Sequence, residues 1–205
     1  MRHGKACVRG VCTFIAGAAL LWPGHAARAS ILYNEALSGD LSDNHLAPST
    51  LNLLPGVSSF FGVMSGFGPG ETYDRDYYRV TVPEGYALTS LTLDLYASLN
   101  YAAFLGVVRG PVVSAAPESA SPEDMLGYVV FDQTMEGSDL LPIMGANGIG
   151  FTGALPAGTY TFWGQQIDDY TEYNLTFTVT AVPGPGAAGA LACAGVWAGC
   201  RRRRR

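Results

Sequence analysis

Leu88-Thr89-Ser90-Leu91-Thr92-Leu93-Asp94-Leu95-Tyr96 decides the reading of the fold. Leu91, Leu93 and Leu95 fall on one side of an extended chain, with Thr92, Asp94 and Tyr96 on the other. Successive side chains of a strand point to opposite faces, so this is a half-buried strand with one wet face. Just upstream, Tyr77-Tyr78-Arg79-Val80-Thr81-Val82 is another β-rich run, closed by Pro83-Glu84-Gly85. Further strands are expected over residues 103–108, 127–131, 158–164 and 173–179. In the last of these, Tyr173, Leu175, Phe177 and Val179 share a face. Ser121-Pro122-Glu123-Asp124 carries the cap and first-turn proline of a single helical turn. Residues 67–73, 114–121 and 145–150 read as loops. Residues 30–181 are therefore expected to form one all-β domain, a β-sandwich or jelly-roll-like fold.

Charge separates this stretch from the two ends. Of the 12 basic residues, only Arg75, Arg79 and Arg109 lie within it, against all 17 acidic residues, a net charge of −14. The whole-chain value of −5 conceals this imbalance. Such a surface repels phosphate backbones, which argues against nucleic acid as a partner. It attracts divalent cations and cationic partners. Cys7, Cys12, Cys193 and Cys200 all lie in the ends, so the domain is expected to hold together by its core and not by disulfides.

Residues 1–29 read as a secretory signal peptide. Arg2, Lys5 and Arg9 precede a short apolar run at 11–21, and Ala27-Arg28-Ala29 offers small residues to signal peptidase before Ser30. An uncleaved N-terminal anchor is the other reading. At the far end, Val182-Pro183-Gly184-Pro185-Gly186 breaks any strand. Residues 187–200 then run without a charge, and Arg201, Arg202, Arg203, Arg204 and Arg205 close the chain. This suits a short, weakly apolar membrane helix with its basic end in the cytoplasm. The order of break, apolar segment and arginine cluster resembles the C-terminal sorting signal of PEP-CTERM proteins, with Pro183-Gly184-Pro185 where that family has Pro-Glu-Pro. The resemblance implies processing by an exosortase-like membrane enzyme, and hence an exported protein placed at the outer surface or released. A plain tail anchor is the competing reading.

A second resemblance covers residues 32–179. Asp74-Arg75-Asp76-Tyr77-Tyr78 with Val82-Pro83-Glu84-Gly85 is similar to a strand of bacterial pre-peptidase C-terminal domains. Leu155-Pro156-Ala157-Gly158-Thr159-Tyr160 with Tyr173-Asn174-Leu175-Thr176-Phe177 is similar to their closing hairpin. That family implies a small β-sandwich on secreted proteins, and calcium held between an acidic N-terminal segment and the Asp motif. By that analogy Asn34 and Glu35, in the first strand region, join Asp74 and Asp76 as calcium ligands. A solvated turn at Asp74 and Asp76, paired with Arg75 and Arg79, is the alternative.

Catalysis finds little support. Residues 30–181 hold one histidine, His45, in the polar stretch Ser42-Asp43-Asn44-His45, and no cysteine or lysine. There is no Gly-x-Ser-x-Gly elbow and no phosphate-cradling loop. Zinc prefers histidine and cysteine ligands, which are nearly absent. Carboxylate pairs such as Asp74 with Asp76, or Asp168 with Asp169, keep a small hydrolase as an alternative. A carbohydrate-binding role for extracellular polysaccharide is the other alternative. It rests on Trp163, Tyr170 and Tyr173 as ring-stacking residues near amide and acidic neighbours. A non-catalytic, surface-associated protein is the leading expectation.

Overall fold

The computed structural model describes residues 29–66, 73–98, 102–166 and 170–183. The expected signal segment up to residue 28, most of the expected 67–73 loop, Asp168 with Asp169, and the tail from Gly184 onward lie outside the described residues.

The fold is all-β and sandwich-like. In chain order come β1 (Ser30–Asn34), a single helical turn α1 (Glu35–Ser38), β2 (Ser49–Leu51), β3 (Gly56–Ser65), β4 (Arg75–Ala97) and β5 (Ala103–Arg109). There follow β6 (Gly127–Phe131), the short helix α2 (Leu140–Gly145), β7 (Leu155–Gln165) and β8 (Tyr170–Ala181). The strands hydrogen-bond in the order β1-β3-β8-β4-β7-β5-β6, with β2 beside β4. The β1–β3 and β2–β4 pairs are parallel and the others antiparallel.

β4 turns this ladder into a sandwich. Its first part, Arg75 to Val82, pairs with β7, and its later part, Tyr86 to Ala97, pairs with β8. Between them Pro83-Glu84-Gly85 makes a corner, with Gly85 at φ 79°. A strand that changes partners at such a corner joins two facing layers. The layers meet through aromatic rings that are not ladder neighbours. Phe60 of β3 stacks on Tyr78 of β4 at 4.7 Å, and Phe162 of β7 meets Phe177 of β8 edge-on at 5.7 Å. Tyr78, Phe162, Phe60 and Phe177 are all fully buried. Aromatic pairs of this geometry add to the stabilisation from burial.

Strand 127–131 forms over the residues expected, and 103–108 and 158–164 extend by one to three residues at an end. Ser121 caps a 3₁₀ turn at Pro122–Asp124 in a reciprocal capping box with Asp124. Tyr173, Leu175, Phe177 and Val179 do share the buried face. Leu95 does not follow Leu91 and Leu93. The register against β8 shifts between Leu93 and Leu95, and this bulge turns Leu95 outward while Tyr96 turns in. Glu35, expected in a strand, instead begins α1. β3 and α2 are additional elements that the strand pattern did not bring out. Among the described residues, no helix is long and apolar enough to cross a membrane.

Candidate metal centre

One end of the sandwich gathers carboxylates from two parts of the chain. Glu35 opens α1 directly after β1. Its Oε1 accepts from the Leu41 N–H at 2.8 Å and its Oε2 from the Val63 N–H of β3 at 2.5 Å. These two bonds pin the carboxylate inside, where Glu35 is only 9% exposed. Gly39, at φ 92°, turns the chain after α1 and brings Asp40 back beside Glu35. Asp76 comes from β4. It lies on the same face as Tyr78 and Val80, so it points into the core and is fully buried.

Glu35, Asp40 and Asp76 each place an oxygen within 4.8 Å of the others. The Asp76 Oδ2 accepts from the Tyr173 hydroxyl at 2.5 Å, whereas its Oδ1 is buried and without a partner among the described residues. Two glycines make the Tyr173 bond possible. A Cβ on Gly62, opposite Tyr173 in the ladder, would come within 2.6 Å of the phenol ring. A Cβ on Gly164, opposite Asp76, would come within 3.2 Å of the Tyr173 hydroxyl.

Two more oxygens of this region are orphaned. Asp74 accepts through Oδ2 from the Ser65 N–H and hydroxyl, at 3.0 and 3.2 Å, but its Oδ1 is buried with no donor among the described residues. The Asn34 Oδ1 is likewise buried and unpaired. Buried oxygens without donors are costly, and buried carboxylates more so. The arginines do not relieve them. Arg75 pairs with Glu118 at 3.3 Å and Gln165 at 3.1 Å, and Arg79 donates to Thr50 and the Pro111 carbonyl.

The electrostatics follow from that imbalance. Burial pushes the Glu35 carboxyl up to about 7, with Asp40 adding to the rise against the Leu41 and Val63 N–H groups. Burial pushes Asp74 up to about 6, helped by Asp40 and Asp43. Asp76 is held well above the ordinary carboxylate range, first by burial and then by Glu35, despite the Tyr173 bond. Removing charge by protonation is one way such a cluster is relieved. A bound cation is the other.

The donor set is all oxygen, with no sulfur or imidazole, which suits a hard cation and above all calcium, with its six to eight oxygen ligands. Of the four ligands inferred from sequence, Glu35 and Asp76 meet in one cluster. Asn34 and Asp74 flank it with unpaired oxygens. Asp40 was absent from that set. It sits in an exposed turn, and only the fold of α1 onto β3 carries it to Glu35.

The three proposed glycan-facing aromatics do not come together. Tyr173 is fully buried and serves Asp76, so it presents no face to solvent. Tyr170 is 54% exposed, but it borders a hollow with Leu95 and Glu172 and donates to the Glu172 carboxylate at 3.1 Å. Trp163 is only 6% exposed, stacked on Tyr77 at 5.7 Å. His45 is held with its Nδ1 2.6 Å from the Val113 carbonyl oxygen. Of the expected sorting motif only Val182 and Pro183 are described. The Val182 N–H donates to the Gly85 carbonyl at 2.8 Å, fastening the chain at the β4 corner.

No protein-family model, no curated protein and no solved structure matches this chain.

Proposed function

We propose that this chain is an exported, non-catalytic β-sandwich module of the cell surface or extracellular matrix, its fold completed by a calcium ion. The observation that carries the calcium reading is Asp76, wholly buried with an unpaired oxygen beside Glu35 and Asp40. Glu35, Asp40 and Asp76 would hold the ion, with the carbonyl oxygen of the Asn34 side chain and Asp74 available to complete its shell. The ion would tie the β1–α1 corner to β4, two segments about 40 residues apart in the chain. Compartments outside the cell suit such a site, since extracellular modules bind calcium with dissociation constants of roughly 10⁻⁴–10⁻³ M.

Export rests on the signal-like N-terminus and the Pro-Gly-Pro, apolar, arginine-rich C-terminus. A non-catalytic role is supported by the single histidine of residues 30–181 being engaged with a backbone carbonyl. The burial of Asp76 beneath Tyr173 further keeps the carboxylates from acting on a substrate bond.

Thermal unfolding of the protein in EDTA and in calcium tests the metal site. At ten times its dissociation constant, calcium should add about 1.4 kcal/mol. For a domain of this size that raises Tm by roughly 3–6 °C. The Asp76→Asn variant should lose that rise. An unchanged Tm in millimolar calcium would remove the ion from the proposal.

A further inference from the structure

The outer face of the β4–β7–β5–β6 layer carries a second apolar cluster, separate from the sandwich core. Tyr77, Val108, Val113, Met125 and Trp163 form it. The strand registers place Tyr77, Trp163, Gly106 and Tyr128 in one row across four strands. Gly106 is the gap in that row. A Cβ there would come within 2.8 Å of the Phe104 ring and 3.2 Å of the Met125 sulfur. With no side chain in the gap, Phe104 folds over the strand, its centroid 5.1 Å from that of Trp163 and 6.0 Å from that of Tyr128.

The segment between β5 and β6 rises beside these rings with Pro117 and Pro122. Between wall and rings lies a groove of about 440 Å³, within the roughly 300–1,000 Å³ usual for small-molecule sites. Among the described residues, no charged side chain lines it. The Trp163 ring lines the groove, but its Nε1–H is fully buried and out of a ligand's reach. Gln165 uses its Oε1 on Arg75, which leaves its Nε2–H₂ as a donor at the groove's polar end.

We propose that this groove binds one or two rings of a neutral saccharide. A pyranose offers an apolar C–H face to Phe104 and Tyr128 and hydroxyl oxygens to the Gln165 Nε2–H₂ group. A purely apolar ligand would cover the Gln165 Nε2–H₂ group without offering it an acceptor, which is costly beside an apolar wall. An acidic saccharide would meet, among the described residues near the groove's polar end, Arg75 already paired with Glu118, and would approach a domain of charge −14. Tyr77 and Trp163 face the opposite side of β4 and β7 from Asp76 and Gly164, so this inference goes beyond the calcium reading and does not depend on it.

Calorimetric titration of the full chain with cellohexaose, laminarihexaose, xylohexaose, mannohexaose and chitohexaose tests it, with hexagalacturonate and decanoate as contrasts. At least one neutral oligosaccharide should bind with a dissociation constant below about 1 mM. Tyr128→Ala and Phe104→Ala should weaken it about tenfold or more, and Tyr170→Ala should leave it unchanged. Gln165→Ala, a rim variant, replaces Phe104→Ala if the latter does not fold by circular dichroism. No neutral oligosaccharide bound, binding unaffected by the groove variants, or binding of the contrasts alone would each overturn the proposal. Titrating in EDTA and in calcium separates it from the metal site.

Discussion

Asp76 and Tyr173 show what a single residue carries here. Tyr173 was legible as a buried-face residue, because it alternates with Leu175, Phe177 and Val179. Its hydroxyl's destination was not, since Asp76 lies 97 residues away. The acids around them give the cation-free protein a definite pH response. Glu35 titrates near 4.5 when unfolded and at about 7 when folded. Between those values the folded state holds the extra proton, so stability falls as pH rises from about 4.5 through 7 and then levels off. Asp74, raised to about 6, acts in the same direction. Calcium opposes this trend, because it binds the deprotonated carboxylates. In EDTA, Tm should therefore be higher at pH 5 than at pH 8, and the gain from added calcium should be larger at pH 8. A Tm in EDTA that rose from pH 5 to pH 8 would contradict the placement of these carboxylates.

Among the elements, β4 is decisive. Two runs of its sequence, 77–82 and 88–96, read as separate strands divided by a proline–glycine turn. They are instead one strand that changes partners at that turn, because Pro83 and Gly85 bend the backbone without ending the ladder with β7, which resumes at Ala87 and Leu88 as the ladder with β8 begins. Gly85 has open space around its Cα, so a methyl group there meets nothing, but its φ of 79° is unfavourable for other residues. Gly85→Ala should cost about 1–2 kcal/mol, read as a lower urea midpoint with an unchanged slope. A midpoint equal to that of the parent would mean the corner relaxes to negative φ without loss. β3 escaped the strand pattern because Gly56, Ser58, Ser59 and Gly62 dilute its apolar alternation. Gly62 is there to admit the Tyr173 ring, a reason found only on the neighbouring strand.

At the scale of the whole molecule, the charge pattern and the two ends make one expectation about delivery. Intact mass spectrometry of the protein from its host, cell-bound and released fractions taken separately, should find chains beginning at Ser30. The released fraction should end near Pro183 to Gly186. A membrane fraction that always retains Arg201 to Arg205, with nothing released, would make the tail a permanent anchor and remove the sorting reading. The Val182 bond to Gly85 sets a bound on this. A cut beyond Pro183 leaves β8 and the corner of β4 intact, so release need not disturb the domain.

A family resemblance picked out two of the three clustered acids, Glu35 and Asp76. The sequence by itself determined the all-β class, the acidic and cysteine-free character of residues 30–181 and the buried face of β8. Each of these follows from local chemistry, since alternation, turn residues and charge are properties of neighbours in the chain. Only the tertiary structure decided that Asp40 joins Glu35 and Asp76, that Leu95 turns outward, that Tyr173 faces an acid and not a ligand, and that Trp163 belongs to a groove with Phe104 and Tyr128. Those outcomes depend on strand register and on which side chains are missing at Gly62, Gly106 and Gly164. Register is a relation between distant segments, and no single segment encodes it.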